Sequence, residues 1–337
     1  MKRAAMTSAV ILMISLGAAW VEWTSEEAVD LEGKVVLLQG DAAEITAVRW
    51  VSEDTEATIA RQSDELGSYF WVDYVRWSER NLPADRTADD TGDAEETTER
   101  VASRSAFKSA GKSDDLMATL SPMVAQRSLV VTDPEKLESI GLAEPTSSIE
   151  IDRGGRTQKL SVGGESYGSR DYYVRHEDSG KIYLVDRDLI QPLKYARTRL
   201  PDRSLFGGES ADLARAKVSA GTDALDLVQI NPDDDTKSAW AKADAPEVAA
   251  DQPTTWMKKF LGLKGTRYAD PESPPEGLEA RFTVALVGRE ATTTVAVTQV
   301  GTDGDWYAQS EHTRGLIKLV RSGANGLADD VEGLLSQ

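Results

Sequence analysis

Cysteine is absent from these 337 residues, and histidine occurs only twice, at His176 and His312. Without thiols there is no disulfide, no thiolate metal site, no cysteine nucleophile and no lipid-carrying cysteine of a bacterial lipoprotein. One histidine in each half cannot build a typical zinc site, so no metal is expected. Positive charge is scarce as well: 38 Lys and Arg stand against 57 Asp and Glu, a formal net charge of −19. A nucleic-acid partner requires a basic face and is not expected. Acidity of this size would also be repelled by an anionic membrane surface. Aromatic residues are better represented, with eight Trp and nine Tyr, so each half of the chain can bury a core.

Only one long apolar run is present. After Met1-Lys2-Arg3, residues Ala4 to Val21 carry no charge. Those eighteen residues would span roughly 27 Å as a helix, enough to cross a hydrocarbon core. Lys2 and Arg3 would stay in the cytoplasm, with Trp20 and Trp23 at the far headgroup layer. A cleaved signal peptide, cut near Gly17-Ala18-Ala19, is the rival reading. Either way the rest of the chain is exported. Residues 1–23 are therefore assigned as anchor or signal segment and 24–43 as a tether.

Beyond the tether the chain repeats itself. Asp133-Pro134-Glu135 and Gly141-Leu142 return as Asp270-Pro271-Glu272 and Gly277-Leu278, each copy coming after an arginine, Arg127 or Arg267. Asp171-Tyr172-Tyr173 is echoed by Asp305-Trp306-Tyr307. Alternating runs at 45–51, 149–152, 160–162 and 182–185, with counterparts at 282–286, 293–297 and 316–320, predict antiparallel hairpins. In the second copy Trp240 takes the place of Trp71. Helices are expected in both copies, over Leu116, Leu120, Met123 and Val124 in the first and over Trp256, Phe260 and Leu263 in the second. The expected class is α+β: two tandem related modules, 44–206 and 212–335, each a mainly antiparallel sheet with a packed helix. Residues 83–106 are rich in Asp, Glu and Thr and read as a disordered acidic insertion.

No constellation for catalysis stands out. His176 and His312 lie beside acidic residues near turns and read as surface histidines. Ala110-Gly111-Lys112-Ser113 resembles the end of a phosphate-binding loop, but Ala106 replaces the earlier glycine and no hydrophobic strand is expected before it. Gly163, Gly164 and Gly168 read as a loop, and Asn231 to Asp235 as a solvated turn lacking the calcium-loop spacing. No serine nucleophile and no cofactor are expected. The densest feature is Tyr69 to Trp77, with five aromatics in nine positions. Tyr69, Trp71, Tyr74 and Trp77 are the candidate interaction surface, because aromatic side chains are favoured in recognition.

Several of these segments together, Ile140-Gly141-Leu142-Ala143-Glu144-Pro145, Ile149-Glu150-Ile151, Leu160-Ser161-Val162-Gly163, Asp171 to Arg175 and Ile182 to Asp186, resemble the domain-of-unknown-function 4340 family over about residues 112–206. The resemblance implies strand-turn-strand units with a helix beneath, preceded by one membrane anchor. It also implies an envelope accessory role beside ABC-2-type exporters or gliding-motility components, with no catalytic residues to transfer. The expected function is thus a non-catalytic protein of the bacterial inner membrane. It would be single-pass, with its globular part in the periplasm, and would act by contact with envelope membrane proteins such as ABC-2-type transporter subunits. The alternative is an exported carbohydrate- or cell-wall-binding protein using the aromatic strand.

Overall fold

Alternation of apolar and polar residues builds most of the chain, because successive side chains of a strand point to opposite faces. In the computed structural model, which describes residues 33–81, 98–234, 236–289 and 291–336, this produces two large antiparallel sheets. The first contains β2 (Ile45–Val51), β3 (Thr55–Asp64), β4 (Gly67–Asn81), β5 (Thr98–Lys108), β7 (Arg127–Leu129), β8 (Ser147–Arg153), β9 (Arg156–Glu165), β10 (Tyr172–His176) and β11 (Ile182–Val185). Their order is β5-β4-β3-β2-β8-β9-β10-β11-β7. The second contains β12 (Leu213–Ala220), β13 (Asp223–Ile230), β14 (Ala239–Lys242), β15 (Gly265–Tyr268), β16 (Leu278–Gly288), β17 (Thr292–Val300), β18 (Trp306–Gln309) and β19 (Ile317–Leu319). Here the order is β14-β13-β12-β16-β17-β18-β19-β15. Taken from β4 and from β14, the two sheets have the same succession of early hairpins, late hairpins and closing strand. The first sheet adds β5 at its edge.

The echoed residues occupy matching places. Arg127 lies in β7 and Arg267 in β15, while Tyr172 and Trp306 open β10 and β18 and are both buried. The Asp133 carboxylate accepts from the Glu135 N–H at 3.1 Å, and Asp270 does the same for Glu272 at 2.9 Å. Gly141 and Gly277 both have φ of 69°, a left-handed conformation that favours glycine. In the first case a short helix α2 (Pro134–Ser139) comes after the capping aspartate, whereas the second has only a turn.

Helices cover each sheet where the pattern changes period. On the first lie α1 (Lys112–Thr119), α3 (Arg187–Lys194) and α4 (Ala196–Arg199), with Leu116, Leu189, Ile190 and Leu193 buried. On the second lie α5 (Asp251–Leu261) and α6 (Arg321–Leu335). Trp256 is stacked on Phe260, their ring centroids 5.6 Å apart, and donates its indole N–H to the Leu327 carbonyl at 3.0 Å. That bond links α5 to α6.

The structure corrects several expectations. Met123 and Val124 leave the helix at Pro122 and form β6 (Met123–Ala125), which pairs with β1 (Val35–Leu38) in a two-stranded ribbon. The end of the tether is therefore folded, because Val35 to Leu38 is an apolar run with a strand to pair with. Residues 98–106 of the expected acidic insertion lie in β5, which pairs with β4 from Trp71↔Lys108 to Asn81↔Thr98. An edge strand of polar residues buries little, so its composition hides it. The remainder of the insertion up to residue 97, the anchor at 1–23 and the tether up to residue 32 lie outside the described residues. Among the described residues, no helix is long and apolar enough to cross a membrane.

Candidate functional site

The outer face of β4, the segment after α4 and the loop before β19 meet at the junction of the two sheets, and the titratable side chains gather there. Lys108, the last residue of β5, places its ammonium 3.3 Å from Asp202 Oδ2 and 3.1 Å from both ring nitrogens of His312. Equal approach to Nδ1 and Nε2 puts the ammonium over the imidazole face, since an in-plane position would strike the carbon between them. His312 Nε2 lies 2.8 Å from Asp202 Oδ2. An ionised carboxylate only accepts, so Nε2 carries the shared proton. The Asp202 carboxylate also accepts from the Ser204 N–H at 3.0 Å.

Electrostatics follow from this enclosure. Burial alone would raise the Asp202 carboxyl, but the His312 ring, the Ser204 N–H and the Lys108 ammonium outweigh it and hold it well below the usual carboxylate range. Burial pushes the Lys108 ammonium below its ordinary value against the pull of Asp202. Tyr268, whose hydroxyl donates to the Asp202 carbonyl at 2.9 Å, is pushed up by burial and by the Asp202 charge. Beside this cluster, Arg314 donates to both carboxylate oxygens of Asp64, and this pairing lowers the Asp64 pKa to about 2.

The backbone closes the junction in parallel. Asp202 N–H donates to the Lys108 carbonyl, Gly265 N–H to Arg203 and Ser310 Oγ to Leu205. A cleft of about 590 Å³ opens beside the cluster, lined in part by Leu66, Tyr69, Phe206, Arg289 and Glu311. A second, of about 490 Å³, lies between β5, α4 and β15.

The candidate aromatics divide according to strand alternation. Tyr74 is 7% exposed and joins the core with Phe70 and Val72, so it is not part of a surface. Tyr69 and Trp71 are half-buried on the opposite face, where they receive the second sheet. Arg314 lies over the Tyr69 ring, and a Cβ on Gly315 would sit 3.4 Å from Trp71. Trp77 faces the same way farther along β4, with the Arg100 guanidinium over its ring. Trp240, on β14, is wholly buried instead.

The other candidates are structural or isolated. His312 is a junction residue rather than a surface histidine, because the fold brings Asp202 and Lys108 to it from the other half. His176 ends β10, far from that cluster in the chain and sharing no partner with it. A strand does precede Gly111, contrary to expectation, but Ser113 is buried and its Oγ lies 2.5 Å from Ser109 Oγ, tying α1 to β5. Gly163 and Gly164 lie in β9 rather than a loop. A Cβ on Gly163 would collide with the Ile140 carbonyl, and Gly164 N–H donates to that same oxygen at 2.8 Å. Asp234 caps its own turn, accepting from Thr236. Among the described residues, no group of three His, Asp or Glu side chains could hold a metal.

One signal was missed at the level of sequence: Gly164-Glu165-Ser166-Tyr167-Gly168 has the spacing of a nucleophile elbow. Here it begins in the last two residues of β9 but leads into turns and β10, with no helix, and Ser166 Oγ lies 2.7 Å from Ser169 Oγ. It is a hydrogen-bonded bend. Nothing in residue spacing pointed to Lys108, Asp202, Asp64 or Arg314.

A family model described as a domain of unknown function, DUF4340, matches residues 101–281. The match begins in β5, runs through the junction and ends in β16, so it extends beyond 112–206 into the second sheet. It includes Lys108, Asp202 and the approach of Gly163 and Gly164 to the Ile140 carbonyl. No curated protein and no solved structure matches the chain. With more than half its length matched, the chain belongs to the DUF4340 family.

Proposed function

We propose that this protein is a non-catalytic accessory of the bacterial envelope. Its N-terminal segment would anchor it in the inner membrane as a single pass. The two sheets would stand in the periplasm and act by contact with membrane partners such as ABC-2-type transporter subunits. In this reading the sheets are tandem copies of one α+β module. The shared strand order, the paired Asp133 and Asp270 caps and the paired Gly141 and Gly277 support that duplication.

One observation carries the non-catalytic reading: the titratable groups at the junction are engaged with one another. A general base needs a nucleophile within reach of its ring as well as an orienting carboxylate, and among the described residues the His312 ring meets only Lys108 and Asp202. Asp202 already accepts from His312, Lys108 and Ser204, and Asp64 accepts from Arg314. Such an arrangement fixes two sheets together and offers their outer surface to a partner. The glycan-platform alternative draws less support, since Tyr74 faces the core and Tyr69 is covered by Arg314.

Gentle detergent extraction of the tagged full-length chain from native membranes tests this. Stoichiometric recovery of a transporter permease or ATPase subunit is expected. The reading fails if the chain is released alone and shows a turnover that His312→Ala abolishes while the fold is kept.

A further inference from the structure

We propose that the cleft of about 490 Å³ between β5, α4 and β15 binds a multiply charged oxyanion, a ligand bearing phosphate or carboxylate groups. Three guanidiniums line it from three segments: Arg197 from α4, Arg203 from the linker between the sheets and Arg267 from β15. All three are exposed, and none has a carboxylate partner among the described residues. Elsewhere Arg49, Arg175, Arg281 and Arg314 each pair with a carboxylate, which leaves their charge neutralised. What sets these three apart is their convergence on one concavity from three separate segments.

Other features of the cleft suit an anion. Arg104 and Lys318 also line it, paired at its edge with Glu272 and Asp305. Ser105 Oγ, in its wall, is buried without a hydrogen-bond partner. The one carboxylate in the lining, Asp270, is engaged in capping the turn at Glu272. Guanidinium is a planar fork that meets phosphate or carboxylate oxygens two at a time. The volume lies within the usual range for small-ligand sites, roughly 300–1,000 Å³.

Placement of the arginines is fixed by the junction. Gly265 N–H donates to the Arg203 carbonyl at 2.9 Å, two residues before Arg267. Ser105 belongs to the first sheet and Arg267 to the second, so a bound oxyanion would bridge the two. Binding there is independent of which membrane partner the chain meets.

Isothermal titration of the full-length chain in chloride buffer, with inorganic pyrophosphate in one arm and citrate in the other, tests it. One saturable site is expected, weakening as salt rises. The arm that binds more tightly identifies the phosphate or the carboxylate source. Arg203→Ala and Arg267→Ala should each weaken binding by about tenfold or more, as expected for a lost charge-assisted pair. Arg267→Lys keeps the charge without the fork, so it should fall between wild type and alanine. Arg156→Ala, remote on the β8–β9 turn, should change nothing. Absence of saturable heat with either anion would overturn the proposal, as would unchanged affinity in both alanine variants. If Arg203→Ala perturbs the unliganded melting curve, Arg267→Lys carries the test.

Discussion

Arg314 lays its guanidinium over the ring of Tyr69, 4.0 Å from the centroid, while two of its nitrogens hold the Asp64 carboxylate. Tyr69 and Asp64 flank the β3–β4 turn of the first sheet; Arg314 belongs to the second. Its φ of 53° is unusual for a side chain larger than glycine or asparagine. Such a backbone persists where its surroundings over-determine it. Here Arg314 N–H donates to the Ser310 carbonyl at 3.1 Å, and the side chain is held at the other end by Asp64.

Acid should loosen this junction. Asp64 and Asp202 both have folded pKa values below an ordinary aspartate, about 2 for Asp64. A depressed carboxylate contributes stability that is fully present above the unfolded value, about 3.9, and is lost as pH falls toward the folded one. Denaturation midpoints should therefore drop from about pH 4 toward pH 2. Asp64→Asn and Asp202→Asn should each flatten that slope, as measured by urea unfolding across the range.

Removing Asp202 should cost more than removing any partner of it. Asp202→Ala leaves the Lys108 ammonium, with its side chain 11% exposed, without a counter-charge. Breaking a buried pair in this way costs about 3–5 kcal/mol. Lys108→Met should cost less, because Asp202 keeps His312 and the Ser204 N–H. Chemical denaturation of the two variants gives the ranking.

Tyr74 and Trp77 stand three residues apart on β4 with opposite fates. Tyr74→Ala should destabilise by about 3 kcal/mol or more as a core truncation. Trp77→Ala should cost under about 1 kcal/mol, since it removes a half-exposed ring. Equal costs would contradict the side-chain alternation described for β4.

Gly163→Ala should be disruptive although glycine-to-alanine changes often are not. The new methyl would meet the Ile140 carbonyl and Leu142, backbone and core together. Overpacking of this kind costs about 1–3 kcal/mol. Thermal unfolding should show it clearly, whereas Gly154→Ala, in an open turn, should reflect only backbone strain.

The hairpins were readable because Ile149-Glu150-Ile151 and Phe282 to Leu286 alternate over residues long enough to fix a face. The echo of Asp133 in Asp270 and of Gly141 in Gly277 was readable too, since caps and left-handed turns restrict residue type. β5 was not, because Glu99 to Arg104 is exposed on both faces of an edge strand and leaves no apolar period. The junction was illegible for a different reason. Lys108 and His312 are 204 residues apart, and no local rule links a strand end in one sheet to a loop in another. The expectation of a surface histidine rested on Glu311 and the nearby turn, which remain exposed while the ring turns inward.

Hydrogen exchange under increasing urea, followed separately at amides of β2–β3 and of β12–β13, tests most directly whether the junction's charged groups hold the sheets together. In the native chain the two sets should open in one transition, and Asp202→Ala combined with Arg314→Ala should split it into two. Two separate transitions in the native chain, or one that persists in the double variant, would contradict a junction held by these groups.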